Sequence, residues 1–597
     1  MQRFRSLGFV ILVSACGHHG GGGDGGMCDP MDPACGTPTH PVIVGCSGCP
    51  TFPPPGSSPP PCSGQGTAPQ LVYPPDQVLL PPNMNVIEVQ FLPGTGNTVF
   101  EIDFANAGTD VRFETKCTAI TSTRGQATGG CAFALDPTDW SYVATHNRGG
   151  DPVTVTVRAA PENLSCVSGS NSRMISYAAE DLAGGIYYWQ STTQNGVAGK
   201  TGGIFRKDFG NPDPTPEPFL TPGNLNKCVG CHFLSRDGLV MTYGSDDADS
   251  DDEYGDLKVV LYDVTKRTAT ATNLPAGFQT FKAAGHDMFF ASDGRGQSNS
   301  PELLAYSGTT GQSMTSSLFA GLTGKRVTHP DWSRDGATIY FTLATAITGL
   351  SGYNLKDDLH VTNGSIYAAT ASGTGATNPV ALVTAASADE NNYYPAISPD
   401  GRSVIFDRAV GTTLATHDSY NNPNAKLFAV PATGGTPVEL KKANYADGMT
   451  NSWPRWSPFV QMYKGKRILW VTFSSTRDYG LRVRNEGAPY FNCYPPVSPE
   501  DTSGDHAKPF DPNCTQPQIW MTAISLDDLA AGGDGSFPAF WLPFQDYTAH
   551  NHIAQWVEMI VKPPTGCAPA GASCVSQMCC DGLGCDQATK TCQPIIF

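Results

Sequence analysis

The sequence predicts an all-β chain: an Ig-like β-sandwich, then a six-bladed β-propeller, then a small disulfide-rich module. Three observations carry this. Charged residues are only 15% of the composition while Gly (65) and Pro (49) abound, which favours turn-rich sheets over helices. Apolar and polar residues alternate with period two between residues 69 and 172. From about residue 173 to 560 a turn signal recurs, each time ahead of an apolar run.

The net charge of −17 argues against nucleic acid as a partner. Nineteen Cys, many outside any metal spacing, point to an oxidising compartment. Residues 1–16 agree with that. Arg3 and Arg5 precede an apolar run, residues 7–12, too short to span a bilayer, and Val13-Ser14-Ala15-Cys16 closes it. The segment resembles the lipobox of bacterial lipoproteins, which implies cleavage before Cys16 and diacylation of its thiol. That makes the lipid the membrane partner. Gly17, with no Asp after Cys16, implies by the same resemblance the outer membrane of a Gram-negative-type envelope, facing the periplasm or the surface. An ordinary signal peptide before a chance Cys is the alternative.

Residues 17–66 are rich in Gly, Pro and Cys, a composition that reads as a flexible to semi-rigid spacer. His18 and His19 read as solvated tail residues ahead of metal ligands. Cys28, Cys35, Cys46, Cys49 and Cys62 are expected to form local disulfides, with one left over. Residues 69–172 alternate at 86–91, 99–104, 111–113 and 153–158, separated by turns such as Pro93-Gly94-Thr95-Gly96. This spacing predicts the Ig-like sandwich. Cys117, Cys131 and Cys166 should include one disulfide, and the odd thiol is available to the spacer. No chemistry is visible in this segment, which reads as a spacer or docking domain.

The repeats follow. Their turn cores are Leu234-Ser235-Arg236-Asp237-Gly238, Trp332-Ser333-Arg334-Asp335-Gly336, Ile397-Ser398-Pro399-Asp400-Gly401 and Trp456-Ser457-Pro458-Phe459. The first interval is long enough for two units, with a degenerate copy at Phe281-Lys282-Ala283-Ala284-Gly285-His286-Asp287. A second short strand usually follows in each unit, and four-stranded units of this size stack radially. Trp-Ser-Pro-Asp-Gly with a following β run resembles the repeat of TolB-type β-propellers. The resemblance covers residues 173–560, although Phe459 replaces Asp-Gly in the last copy. The strands at 186–189 and 203–206 lack an innermost partner, which residues 551–556 can supply to close a ring. Six blades result, with seven as the alternative count.

The stretch that carries chemistry is Cys228-Val229-Gly230-Cys231-His232, just ahead of the first turn core. Cys-x-x-Cys-His is the spacing of c-type haem attachment, with two thiols for thioethers and His232 as proximal axial ligand. A disulfide, a redox dithiol or half of a zinc site are the competing readings. Cys46 and Cys49, in the distant spacer, are poor candidates to complete a zinc site. With Phe473-Ser474-Ser475-Thr476-Arg477-Asp478-Tyr479-Gly480, the motif also resembles a group of bacterial haem-motif propeller lipoproteins. Counting back from Ser235 and Ser333 places His232 level with Pro330, beside His329, at the central channel. His550 and His552 hold a similar place on the closing strand. His329 and His552 are therefore equal candidates for the distal ligand, ahead of Met241, Met288 and Met449.

Other signals are weaker. Asn195-Gly196-Val197-Ala198-Gly199-Lys200-Thr201 ends like a phosphate-binding loop but has Gln194 where the first Gly is needed, so a hairpin and no nucleotide are expected. Asp247, Asp249 and Asp251 offer carboxylates for Ca²⁺, but a solvated acidic loop is the preferred reading. No Gly-x-Ser-x-Gly elbow or His-Glu-x-x-His is present, so hydrolase chemistry has no support. Cys493 and Cys514 flank a Pro-rich insertion and should pair. Cys567, Cys574, Cys579, Cys580, Cys585 and Cys592 resemble the knottin framework, which implies pairs 567–580, 574–585 and 579–592. The leading expectation is a lipid-anchored c-type cytochrome that transfers electrons to an envelope partner. A non-haem scaffold for envelope protein interaction or adhesion is the alternative, and a haem enzyme acting on a small oxidant is the third reading.

Overall fold

The computed structural model describes residues 35–594 apart from 222–228, 246–257, 293–302, 315–325, 349–359, 412–421, 483–516 and stretches of one to five residues. Cys16, His18, His19, Cys228, Cys493 and Cys514 lie outside the described residues, as do Asp247, Asp249 and Asp251.

Period-two alternation becomes a two-sheet sandwich. One sheet orders Val42–Val44, Asp110–Lys116, Val99–Ala105, Val153–Ala160, Arg173–Tyr177 and Val78–Leu80, with Ser168–Gly169 on its side. The other orders Gln70–Tyr73, Glu88–Leu92, Ala127–Ala134 and Thr118–Thr121. Phe100, Ile102 and Phe104 from one sheet and Leu71, Val89 and Phe91 from the other share a core, since alternate residues of a strand face the same side. A helix, Pro137–His146, interrupts the β pattern. The Asp136 carboxylate accepts from the Thr138 N–H and Pro137 starts the first turn. Its buried residues Trp140, Val143 and Ala144 join the core.

Residues 35–66, read from composition as a spacer, pack onto this sandwich. Val42–Val44 adds a parallel edge strand against Val111–Phe113. Phe52 is buried beneath the Arg158 guanidinium, and its N–H donates to Glu114 at 2.8 Å. Cys62 pairs with Cys166 across 104 residues, whereas Cys46–Cys49 and Cys117–Cys131 are local. Two apolar anchors suffice because strand addition and a long-range disulfide supply the remaining order.

Six sheets then form a ring. Their innermost strands are Asn551–Val557, Val229–Leu234, Gln279–Phe281, Arg326–Trp332, Glu390–Ile397 and Asn451–Trp456. Asn551–Val557 pairs antiparallel with Gly185–Gln194, so the first blade is closed by the far end of the chain. The all-β, six-bladed expectation is thus borne out, down to the closing strand. The recurrent turn has a local cause. The Ser235, Ser333 and Ser398 hydroxyls each bond an Asp carboxylate two residues on at 2.6 Å. Gly238, Gly336 and Gly401 follow at φ of 71°, 73° and 71°, where a side chain is disfavoured. In the copy with Phe459, the Ser457 hydroxyl instead accepts from the Trp470 N–H at 3.1 Å.

The segment from Phe473 to Gly480 joins the two large units. Arg477 is fully buried over the Phe473 and Trp520 rings and donates to the Ala443 carbonyl and the Asn451 amide oxygen. Tyr479 stacks on Trp541 at 4.2 Å and meets Tyr73 of the sandwich edge-on at 5.0 Å. Arg482 forks onto Glu88 of the sandwich. Sandwich and propeller thus share one apolar core. The C-terminal module rests on the second blade, where Arg267 donates to the Cys579 carbonyl at 2.7 Å. Cys567–Cys580 and Cys579–Cys592 are bonded, and Cys574 is also in a disulfide. The close approach of the Cys574, Cys579 and Cys592 sulfurs is therefore a disulfide cluster and not a metal set.

Gly480 sits at φ 59°, and a Cβ there would meet the Gln90 side chain and Tyr73. Gly480→Ala should lower stability by about 1–3 kcal/mol. Calorimetry should show an earlier transition, and limited proteolysis should cut more readily between sandwich and propeller.

Candidate functional site in the propeller channel

Every innermost strand outside the third blade carries a bulge at the same level. Thr328 pairs with Thr342 and Asp331 with Tyr340, so His329 and Pro330 together oppose Phe341. The same two-against-one arrangement holds Tyr394-Pro395, Trp453-Pro454, Ile553-Ala554 and Cys231-His232. The first residue has φ of 48° at His329, 50° at Tyr394, 56° at Trp453 and 56° at Ile553. A bulge re-aims its side chain, here toward the axis. The third blade supplies Phe278 at the equivalent level, just ahead of Gln279–Phe281.

The result is an aromatic plug. The His329 ring lies 4.2 Å from Phe278 and 4.0 Å from Tyr394. Tyr394 lies 4.6 Å from Trp453, which contacts Phe278 at 5.4 Å. Such tilted and edge-on pairs add to the burial of large apolar rings. His329 is a member of this plug, with neither ring nitrogen hydrogen-bonded.

The strand pairing gives the register expected from the sequence: His232 is level with Pro330, and Cys231 with His329. The Cys231 side chain is outside the described residues. His232 takes the following position and is fully buried, beside the backbone of Tyr187 on the first blade. Neither of its ring nitrogens makes a well-formed hydrogen bond, although the Tyr187 backbone is close enough to favour the protonated form somewhat. Burial dominates and pushes its pKa down to about 4.

The two distal candidates separate. His552 pairs in register with Trp189, whose ring lies 4.7 Å away. Burial holds it well below the usual range, and the charges of His550 and His232 add to this. It therefore shares its surroundings with His232 across the junction of the first two blades. His329 is held down by burial and then by Arg455, and belongs to the opposite part of the ring. Met241 and Met288 are packed in separate apolar clusters and Met449 is half-buried. Of residues 195–201, those from Val197 on lie on the strand Val197–Asp208, which pairs antiparallel with Gly185–Gln194, Gln194 opposite Val197; residues 195 and 196 lie outside the described residues. A phosphate-binding loop would lead from a strand into a helix.

His232 is buried, its imidazole is held neutral by that burial, and neither ring nitrogen makes a well-formed hydrogen bond. That is the donor chemistry a haem iron takes from a proximal histidine; Cys228 and the Cys231 side chain, the other members of the motif, lie outside the described residues. The ring of bulges escaped the sequence reading, although its signal was present: His329-Pro330, Tyr394-Pro395 and Trp453-Pro454 recur three residues ahead of Ser.

No protein-family model matches the chain, and no curated protein does. Among solved structures it is similar to TolB from Acinetobacter baumannii, at 13% identity and TM-score 0.29, over 54% of this chain and 74% of that one. TolB from Agrobacterium tumefaciens gives 16% and 0.30, over 59% and 91%. Hydrazine synthase of Kuenenia stuttgartiensis gives 11% and 0.27, over 55% and 73%. At these scores the likeness carries no weight of its own, and the blade count rests on the strand pairing described above.

His232, His329 and His552 stay neutral in the fold but titrate near 6.5 once unfolded. The unfolded chain therefore binds more protons below that value, so stability is full above about pH 6.5 and is lost as pH falls toward 4. Urea midpoints of the haem-free protein should drop between about pH 7 and about pH 5. His329→Phe, which keeps the aromatic plug, should reduce that drop.

Proposed function

We propose that this chain is an exported propeller scaffold carrying one covalent haem c, and that it transfers electrons in the cell envelope. Cys228 and Cys231 would form the thioethers and His232 would be the proximal axial ligand. The observation that carries this is His232, buried, neutral and without a well-formed partner for either ring nitrogen, one residue from Cys231. A buried polar group left unsatisfied is costly, and iron ligation would remove that cost. Haem iron supplies a one-electron couple. The protein's own part is to hold the imidazole in one orientation between two blades, keep it unprotonated and exclude water from it. The shared surroundings of His552 and His232 support His552 over His329 as the second axial ligand. Lipidation at Cys16 would fix the chain to the outer membrane.

A second reading keeps the scaffold and omits the haem. It is favoured by the single core joining sandwich and propeller, which offers one rigid body for docking an envelope protein. Cys228 and Cys231 would then form a disulfide.

Expression with haem-maturation machinery decides between them. A haem stain that survives denaturing electrophoresis, with a reduced α-band of haem c that disappears in Cys228→Ala/Cys231→Ala, is the expected result. His552→Ala should then shift the low-spin spectrum while His329→Ala leaves it unchanged. A folded protein without bound haem would leave the scaffold reading standing.

A further inference from the structure

At the Ser-x-Asp-Gly end of the channel, beyond the aromatic plug, lies a cavity of about 90 Å³. Its wall is a ring of equivalent positions, one per blade, each two residues ahead of the turn serine or its counterpart. In chain order these are Phe233, Thr280, Asp331, Ala396 and Arg455, with Gln555 on the closing strand. Six side chains drawn from six strands thus meet around one space.

Their chemistry is asymmetric. Within this ring Arg455 and Asp331 carry the charges, with Ala396 between them; outside it Arg236, which donates to the Trp332 carbonyl and acts on Asp331, and Glu558, paired with Arg334, also line the cavity. Arg455 and Asp331 are both half-buried and line the cavity. They influence each other electrostatically, yet no ion pair within 4.0 Å joins them among the described residues. Arg455 makes a single hydrogen bond among the described residues, to the Pro454 carbonyl at 2.9 Å. Asp331 accepts the Ile397 N–H on one oxygen at 2.8 Å, and the Trp332 backbone and the Arg236 and Arg455 charges also favour its anion. Asp407 also acts on Arg455, and burial holds its carboxyl well above the usual carboxylate range. Gln555 is 9% exposed, and its side-chain nitrogen has no partner. A half-buried cation and anion that form no ion pair with each other, beside an amide nitrogen without a partner, offer donors and an acceptor to a ligand in this space.

We propose that this cavity binds a small α-amino acid zwitterion, with the Arg455 guanidinium on its carboxylate, Asp331 on its ammonium group and Gln555 as an additional polar contact. A planar guanidinium matches a carboxylate with two parallel hydrogen bonds. Phe233 and Ala396 leave an apolar side for the α-carbon and a small substituent. The volume is below the roughly 150 Å³ that holds benzene, so glycine, alanine or serine fits and an aromatic amino acid does not. This inference is independent of the haem reading.

Equilibrium dialysis of the full chain with radiolabelled glycine and L-alanine tests it, with acetate and methylamine as probes that each carry one charge. Saturable one-to-one binding of glycine and alanine is expected. Acetate, methylamine and L-phenylalanine should bind at least about 30-fold more weakly, the scale set by leaving one buried charge unpaired. Arg455→Met and Asp331→Asn should each lose a similar factor with an unchanged circular dichroism spectrum. If either variant does not fold, Ala396→Val, which narrows the cavity and keeps both charges, should weaken alanine more than glycine. Acetate binding as tightly as glycine to the unaltered chain would make this a simple anion pocket and overturn the proposal. Absence of binding by glycine, alanine and serine would also overturn it.

Discussion

The propeller depends on one strand pairing. Asn551–Val557 lies against Gly185–Gln194, and the His550 N–H donates to the Ser191 hydroxyl across 359 residues. A β-sheet edge is a row of unmet donors and acceptors, and an open ring would leave two such edges facing each other. Closing them from opposite ends of the repeat makes the ring one cooperative body. It also sets the channel: the closing strand supplies Ile553 to the level of the plug and Gln555 to the cavity beyond it. His552, on the same strand, meets the surroundings of His232 only because the ring is shut.

Much of this architecture was legible in the sequence because its causes are local. Ser-x-Asp-Gly recurs since the hydroxyl–carboxylate bond and the left-handed glycine build the same turn each time. The unpaired strands at 186–189 and 203–206 announced the missing innermost partner. Where causes are long-range, the sequence was silent. Residues 35–66 have too few apolar side chains to suggest a packed segment, and what orders them is a strand partner and a disulfide contributed from elsewhere. The helix at Pro137–His146 sits between strands that gave no sign of it beyond Asp136-Pro137.

The site shows the same division. Counting residues back from the turn serine identified the right level of the channel. What counting could not show is the bulge at that level, which sets two residues, Cys231 and His232, against one on the neighbouring strand. His329 and His552, equal by counting, differ once the ring is assembled: one packs among Phe278 and Tyr394, the other beside Trp189. Burial makes both neutral, so their difference lies in their neighbours and not in their protonation.

The closing strand also sets an order of events in time. A polypeptide emerges N-terminus first, and domains fold as units as they become complete. The sandwich has all of its strands once residue 177 is out. The propeller cannot complete its first blade until residue 557 has followed. Through that interval the strand bearing Cys231 and His232 lacks its finished neighbour, and the position is accessible to whatever acts on a nascent chain. Contacts this distant in sequence form slowly, which lengthens the interval. Ring closure is thus a timer as well as a seal: the strand bearing Cys231 and His232 stays uncovered until the last strand of the ring arrives.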